Sequence, residues 1–294
     1  MRLAPHVGGA VASFTFCERP VLRETPHAAL AAADVRATAC YPLVPYSNRI
    51  RDARLHYGGR TFALARNFGA HPHAIHGVGW QRAWSVVEAA PRQAQVALVH
   101  EANGDDAAAW PWPFRATQTF RLTGDAKART VRLLVTLTIE NTGREPFPFG
   151  LGWHPFFARD TATRIAFRAE RVWRNDATQL PQRLVAIPRS WDFARARELD
   201  DIVLDNVFVG WAGTASIHQP STATLATLDA DRACSRLVVY APAQAPFVAL
   251  EPVSHDTDAF NRAIDGAADT GMRVLPPGAA FSCTMRVAVV ANPA

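Results

Sequence analysis

Apolar residues recur at every second position along one segment: Val131, Leu133, Val135, Leu137 and Ile139 alternate with Arg132, Leu134, Thr136, Thr138 and Glu140. A period of two places successive side chains on opposite faces and marks a half-buried strand. Asn141-Thr142-Gly143 follows as a turn signal. Further strands are predicted at Val11–Phe16, Trp84–Glu88, Gln95–His100, Arg115–Leu122, Thr163–Phe167, Ile202–Val209, Ala223–Leu228, Leu237–Tyr240, Pro246–Glu251 and Phe281–Val290. Leu55–Tyr57 and Arg60–Leu64 flank Gly58-Gly59, a tight hairpin signal because glycine accepts positive φ. Helical signals are few: a short turn from Ser254-His255-Asp256 through Asp258 to Ile264, and an alanine-rich stretch at Ala28–Val35 that lacks an amphipathic stripe. Many strands separated by turns, with no linker or internal repeat, predict an all-β fold. The expectation is a single large antiparallel β-sandwich domain over residues 1–294.

Half of the residues being hydrophobic (49%) and a fifth charged (19%) suits a large core and excludes disorder. The formal charge is +5, but Lys127 is the only lysine and the arginines are scattered singly. That is not the stripe or patch that nucleic acid requires, and Trp110, Trp112 and Phe114 are not interleaved with basic residues. Cys17, Cys40, Cys234 and Cys283 show no paired spacing and are expected to be buried thiols of a cytosolic protein. Met1–Phe16 has no continuous apolar run of the secretory type, and no stretch approaches membrane-spanning length. A cytoplasmic protein with neither nucleic-acid nor membrane partners is expected.

Several segments place ionisable groups in apolar settings. In Gly150-Leu151-Gly152-Trp153-His154-Pro155-Phe156-Phe157, an extended chain puts Gly150, Gly152 and His154 on one face and Phe149, Leu151 and Trp153 on the other. The two glycines are expected to leave a hollow beside the imidazole, and Pro155 to end the strand. Pro246–Pro252 repeats the plan: Phe247, Ala249 and Glu251 share a face, and Pro252 is expected to stop the strand. Asp205 shares a face with Val203 and Val207, so its carboxylate is either paired or used, or else it caps a turn. Arg49 lies in the apolar, proline-bounded Pro42–Ile50, which suits recognition of a carboxylate or of ligand hydroxyls. His71-Pro72-His73-Ala74-Ile75-His76 invites a zinc reading, but without a nearby cysteine or HExxH pattern no metal is expected, and His71 and His73 read as solvated. His76 stands apart because it opens His76-Gly77-Val78-Gly79-Trp80.

Taken in order, Pro42–Ile50, His76–Trp80, Gly150–Phe157, Leu204–Phe208 and Leu250–Val253, with Phe260-Asn261 behind, resemble the aldose 1-epimerase (galactose mutarotase) family. The resemblance spans about Gly8 to Pro277. It implies a β-supersandwich with an open sugar cleft on one sheet, and interconversion of the α and β anomers of a free aldose without metal or organic cofactor. It further implies that Glu251 is the catalytic base and His154 the acid, and that His76, Asp205 and Arg49 hold the sugar hydroxyls and ring oxygen. The partner is then a small-molecule sugar, and the protein a monomer or homodimer.

Three departures from the family pattern stand out: Val78 in a segment that is often His-Gly-Gly, Phe156 where tyrosine is common, and Val238 where a glutamine often precedes the base. The chain also starts close to the family's Gly-Gly strand, at Gly8-Gly9, so an initial strand or two is expected to be missing. With a reference value of about 6.5, the imidazole is expected to be held charged by the neighbouring carboxylate. Trp80, Trp84, Trp153 and Phe247 are candidates for an apolar wall, although Trp153 suits the core better. Two rival readings remain. One is an epimerase of phosphorylated sugars, with Arg49, Arg51 and Arg82 as candidate phosphate ligands; the other is a non-catalytic carbohydrate-binding protein.

Overall fold

The computed structural model describes residues 1–125, 127–199 and 202–291. Two large antiparallel sheets dominate it. The first, of ten strands, runs in the order Arg2–Ala4, Ala10–Phe16, Arg19–Leu22, Gly152–Ala158, Phe247–Val253, Arg236–Ala241, Leu204–Val209, Arg171–Asn175 and Pro181–Ala186. Its tenth strand, Cys40–Leu43, pairs with both Gly152–Ala158 and Ala10–Phe16. The second, of nine strands, runs Arg197–Glu198, Arg164–Phe167, Thr214–Gln219, Thr224–Ala230, Ala280–Ala291, Thr130–Asn141, Phe114–Asp125, Gln93–His100 and Ser85–Ala90.

The alternation seen in the sequence becomes the packing. In Thr130–Asn141, Leu133, Val135, Leu137 and Ile139 are buried while the residues between them are half-covered. They join one hydrophobic cluster with Trp153, Phe157, Val248, Leu250, Leu237, Val239 and Phe208 of the first sheet. Each such side chain contributes about 1.5–3 kcal/mol on burial, so this inter-sheet layer is the main source of stability. The Gly58-Gly59 hairpin forms as expected, with φ of +58° and +71° joining Arg54–Tyr57 to Arg60–Ala63.

Strands of the first sheet also bury part of their opposite face. Ala249, Val253, Val207, Val238, Tyr41 and Phe156 form a second cluster, covered by Val7, Val35 and Trp80 from earlier in the chain. The cover is partial, and the uncovered part of this face is the cleft described below. Helices are short: His27–Ala31, Asp105–Ala109 and Ala259–Ile264. Among the described residues no helix is long and apolar enough to cross a membrane.

Two expectations about proline are corrected. Gly152–Ala158 continues through Pro155, and Phe247–Val253 continues through Pro252. Pro155 instead lies where the ladder to Phe247–Val253 opens: Gly152 pairs with Val253 and Phe156 with Ala249, while Trp153, His154 and Pro155 pair only with Cys40–Leu43 on the other side. The missing N–H costs a rung but does not end the strand. Cys40, Cys234 and Cys283 are buried as expected, whereas Cys17 is exposed at a tight turn.

Candidate active site

Extending the register of Gly152↔Val253 and Phe156↔Ala249 across the gap puts His154 opposite Glu251 on the adjacent strand. Both side chains lie on the partly covered face, with His154 Nε2 3.1 Å from Glu251 Oε1. They line a cavity of about 290 Å³, together with Arg49, His76, Asp205, Tyr41, Phe156 and Tyr240. The structure therefore brings all five residues expected to act, His154, Glu251, His76, Asp205 and Arg49, to one cleft.

The rim facing the pair is set by backbone geometry at His76-Gly77. His76 has φ +62° and Gly77 +68°, and a Cβ on Gly77 would lie 2.5 Å from the Val44 carbonyl oxygen. That carbonyl accepts the N–H groups of Val78 and Gly79 at 3.1 and 3.0 Å, so the chain wraps closely around it. The Asn48 N–H donates to His76 Nδ1 at 2.9 Å, which leaves the ring proton on Nε2. Burial, then Arg49 and His255, lower His76 to about 3, so this imidazole is a neutral donor. Arg49 Nη2 donates to Asp205 Oδ2 at 3.0 Å and Nη1 to Asn48 Oδ1 at 2.9 Å, while Arg49 Nε is buried without a partner. The carboxylate of Asp205 is thus paired, and Val207 shares its face, but Val203 precedes the strand and is exposed.

The electrostatics of the central pair correct one expectation. Burial first, then His76 and Arg23, pull His154 well below the ordinary imidazole value. Burial first, then Asp205, pushes Glu251 well above the ordinary carboxyl range, with Arg49 opposing. Desolvation outweighs the attraction expected to keep the imidazole charged, and the pair favours its neutral arrangement. Val238, one of the three departures from the family pattern, stands beside Glu251 on the next strand. Correspondingly, Glu251 Oε2 is buried with no hydrogen-bond partner.

The glycines do not hollow out this cleft. A Cβ on Gly150 would lie 1.6 Å from Cδ2 of a different imidazole, His255, and one on Gly152 would lie 2.8 Å from the Pro252 carbonyl oxygen. His255 is a buried support: Ser47 N–H donates to its Nε2 at 3.0 Å, and its Nδ1 lies 2.7 Å from the Asp256 carbonyl oxygen. His73 is also buried, contrary to expectation, with Nδ1 accepting the Asp52 N–H at 2.9 Å, whereas His71 lies at the cleft. No group of three His, Cys, Asp or Glu residues that could hold a metal ion occurs among the described residues. Of the aromatic candidates only Phe247 lines the cleft, because Trp84 and Trp153 are in the main core and Trp80 is buried beneath Tyr41. Tyr41 and Tyr240, missed in the sequence, owe their places to register: Tyr41 pairs with His154 and Tyr240 with Ala249.

The family model for aldose 1-epimerase matches residues 3–288. The chain belongs to the aldose 1-epimerase family. A relative, the uncharacterized Escherichia coli (strain K12) protein YphB, is 30% identical over 290 residues, covering 96% of this chain and 93% of YphB. A crystal structure of an Escherichia coli K12 protein superposes with a TM-score of 0.85 at 27% identity, covering 97% of this chain and 93% of that one. A galactose mutarotase-like protein from Clostridium acetobutylicum gives a TM-score of 0.83 at 17% identity, covering 97% and 90% of the two chains. The family's galactose mutarotase-like sandwich is therefore the fold of this chain.

Proposed function

We propose that this member of the family is a mutarotase, an aldose 1-epimerase that exchanges the α and β anomers of a free aldose. The observation that carries the reading is the 3.1 Å contact between His154 Nε2 and Glu251 Oε1 in a cleft lined by polar groups. Anomer exchange requires removal of a proton from the O1 hydroxyl and delivery of one to the ring oxygen. Both oxygens are bonded to C1, so an acid and a base must converge within one sugar ring. No hydride, nucleophile or metal is needed.

In this scheme Glu251 takes the O1 proton and His154 protonates O5. The C1–O5 bond opens, the aldehyde turns about C1–C2, and ring closure on the other face reverses both transfers. The pair's own proton must sit on His154 for the first step. A sugar hydroxyl donating to Glu251 Oε2 favours the carboxylate and returns that proton to the imidazole. His76 Nε2–H, Asp205 and Arg49 hold the remaining hydroxyls. Each proton transfer can supply roughly a hundred- to ten-thousandfold acceleration.

The test is polarimetry on a panel of free aldoses, each dissolved as one pure anomer, including α-glucose and α-galactose. Catalytic acceleration of at least one is expected; equilibration of every sugar at its uncatalysed rate refutes the reading.

A further inference from the structure

The arginines first considered as phosphate ligands do not converge: Arg49 pairs with Asp205, Arg51 with Asp258 and Arg82 with Asp106. Another arginine is better placed. Arg23 follows the strand Arg19–Leu22, and its guanidinium carbon lies 3.5 Å from the ring centroid of Phe156 and 4.6 Å from that of Phe247. Its Nε donates to the Thr38 carbonyl at 2.8 Å and its Nη2 to the Arg36 carbonyl. The group is therefore fixed by two neutral acceptors and two aromatic rings.

Arg23, Arg36 and Arg49 are the arginines lining the cleft. Arg49 has Asp205 and Arg36 has Asp34, at 3.0 and 3.2 Å. Among the described residues no carboxylate lies within ion-pairing distance of Arg23. Burial already draws its guanidinium down to about 10, so it is charged at neutral pH yet poorly compensated. A cation so held favours an anion over a hydroxyl, because charge-assisted, forked hydrogen bonds are the stronger ones.

The position within the cleft indicates which part of a sugar it meets. Phe156 stacks on His154 with centroids 4.2 Å apart and carries Arg23 over its ring. Arg23 contributes to the electrostatics of His154, whereas Asp205 and Arg49 act on Glu251. If His154 faces the ring oxygen, Arg23 lies on that side of the ring, where the exocyclic carbon projects.

We propose that Arg23 is a specificity residue that binds an anionic group on the exocyclic carbon of the aldose, so that the preferred substrate is an acidic sugar with a free anomeric hydroxyl. The inference rests on the acid/base anomer exchange proposed above and names its substrate class: a carboxylate or sulfonate sugar narrows the free-aldose reading, whereas a preference for the 6-phosphate would replace the free aldose by a phosphorylated one. Carboxylate, phosphate and sulfonate share the required chemistry, and separate arms of one experiment distinguish them.

Anomer exchange is measured for glucose, glucuronate, glucose 6-phosphate and 6-deoxyglucose 6-sulfonate with wild type, Arg23→Gln and Arg23→Lys, each checked for cooperative melting. For wild type, kcat/KM for at least one charged sugar should exceed that for glucose by roughly tenfold to a hundredfold. Arg23→Gln should bring the ratio close to one, with Arg23→Lys between. On wild type alone, added salt should raise KM for the charged sugar but not for glucose. Wild type preferring glucose, a charged-sugar preference insensitive to salt, or an unchanged ratio in a folded Arg23→Gln overturns the proposal while leaving the mutarotase reading standing. No acceleration of any sugar overturns both.

Discussion

His154 Nε2 and Glu251 Oε1 face each other at 3.1 Å, and burial disfavours the charged form of each. Glu251→Gln keeps the shape of the side chain but removes its capacity to accept the O1 proton. Anomer exchange should fall by roughly a hundred- to ten-thousandfold, while calorimetry should show sugar binding retained; an unchanged rate removes Glu251 from the mechanism. Asp205→Asn removes the negative charge from the group that accepts Arg49 Nη2–H at 3.0 Å, turning an ion pair into at most a neutral-acceptor hydrogen bond. This change should raise KM more than it lowers kcat, by roughly tenfold to a hundredfold for a charge-assisted bond, read from initial rates by NMR. Equal losses in kcat and kcat/KM would instead assign Asp205 to the transition state. At this scale the sequence was informative where an ionisable group interrupts an apolar face, as at His154, Glu251 and Asp205. It was silent on Arg23, since an arginine at a strand end looks solvated until Phe156 and Phe247 are seen beneath it.

The loop before Arg49 is held by a chain of backbone contacts rather than by its own secondary structure. Ser47 N–H reaches His255, Asn48 N–H reaches His76, and the Gly150 N–H donates to the Pro45 carbonyl at 2.8 Å. The hollow expected beside His154 is not what Gly150 provides: the space is filled by His255, which arrives from a segment distant in sequence. Gly150→Ala should force His255 aside, since the new Cβ would meet Cδ2 at 1.6 Å. The cost should be about 1–3 kcal/mol in urea unfolding, as for overpacked cores. A larger relative effect on KM than on kcat should accompany it, because Arg49 is displaced while His154 and Glu251 stay in place. A variant with wild-type stability and KM would show that His255 does not support the loop. The prolines misled for a related reason: a missing N–H reads as a stop, but Pro155 lies where the strand changes its pairing.

Across the molecule, the two-residue period fixed the all-β class because each large sheet must bury one face against the other. The second apolar face of the first sheet was less legible, since Val7, Val35 and Trp80, which cover it, come from segments with no strong period. This double burial is also why neutral histidines collect there, and it makes stability depend on pH. His255 lies at about 4 when folded, against an ordinary 6.5, chiefly through burial. The unfolded chain therefore takes up a proton near pH 6.5 while the folded chain does not until near pH 4. The His255 contribution is fully present above pH 6.5 and is lost as pH falls through that window. Glu251, raised by burial, has the opposite sign: its contribution is present below its ordinary 4.5 and lost as pH rises through its folded value. Because these opposing groups blur the total, the informative quantity is the difference between wild type and His255→Gln, whose amide does not titrate. In urea unfolding, the stability of wild type relative to that variant should decrease by roughly 3 kcal/mol between pH 7 and pH 4. A difference independent of pH would mean that His255 takes up its proton at the same pH folded as unfolded, so that burial does not hold it neutral and Ser47 N–H loses its acceptor near pH 6.5.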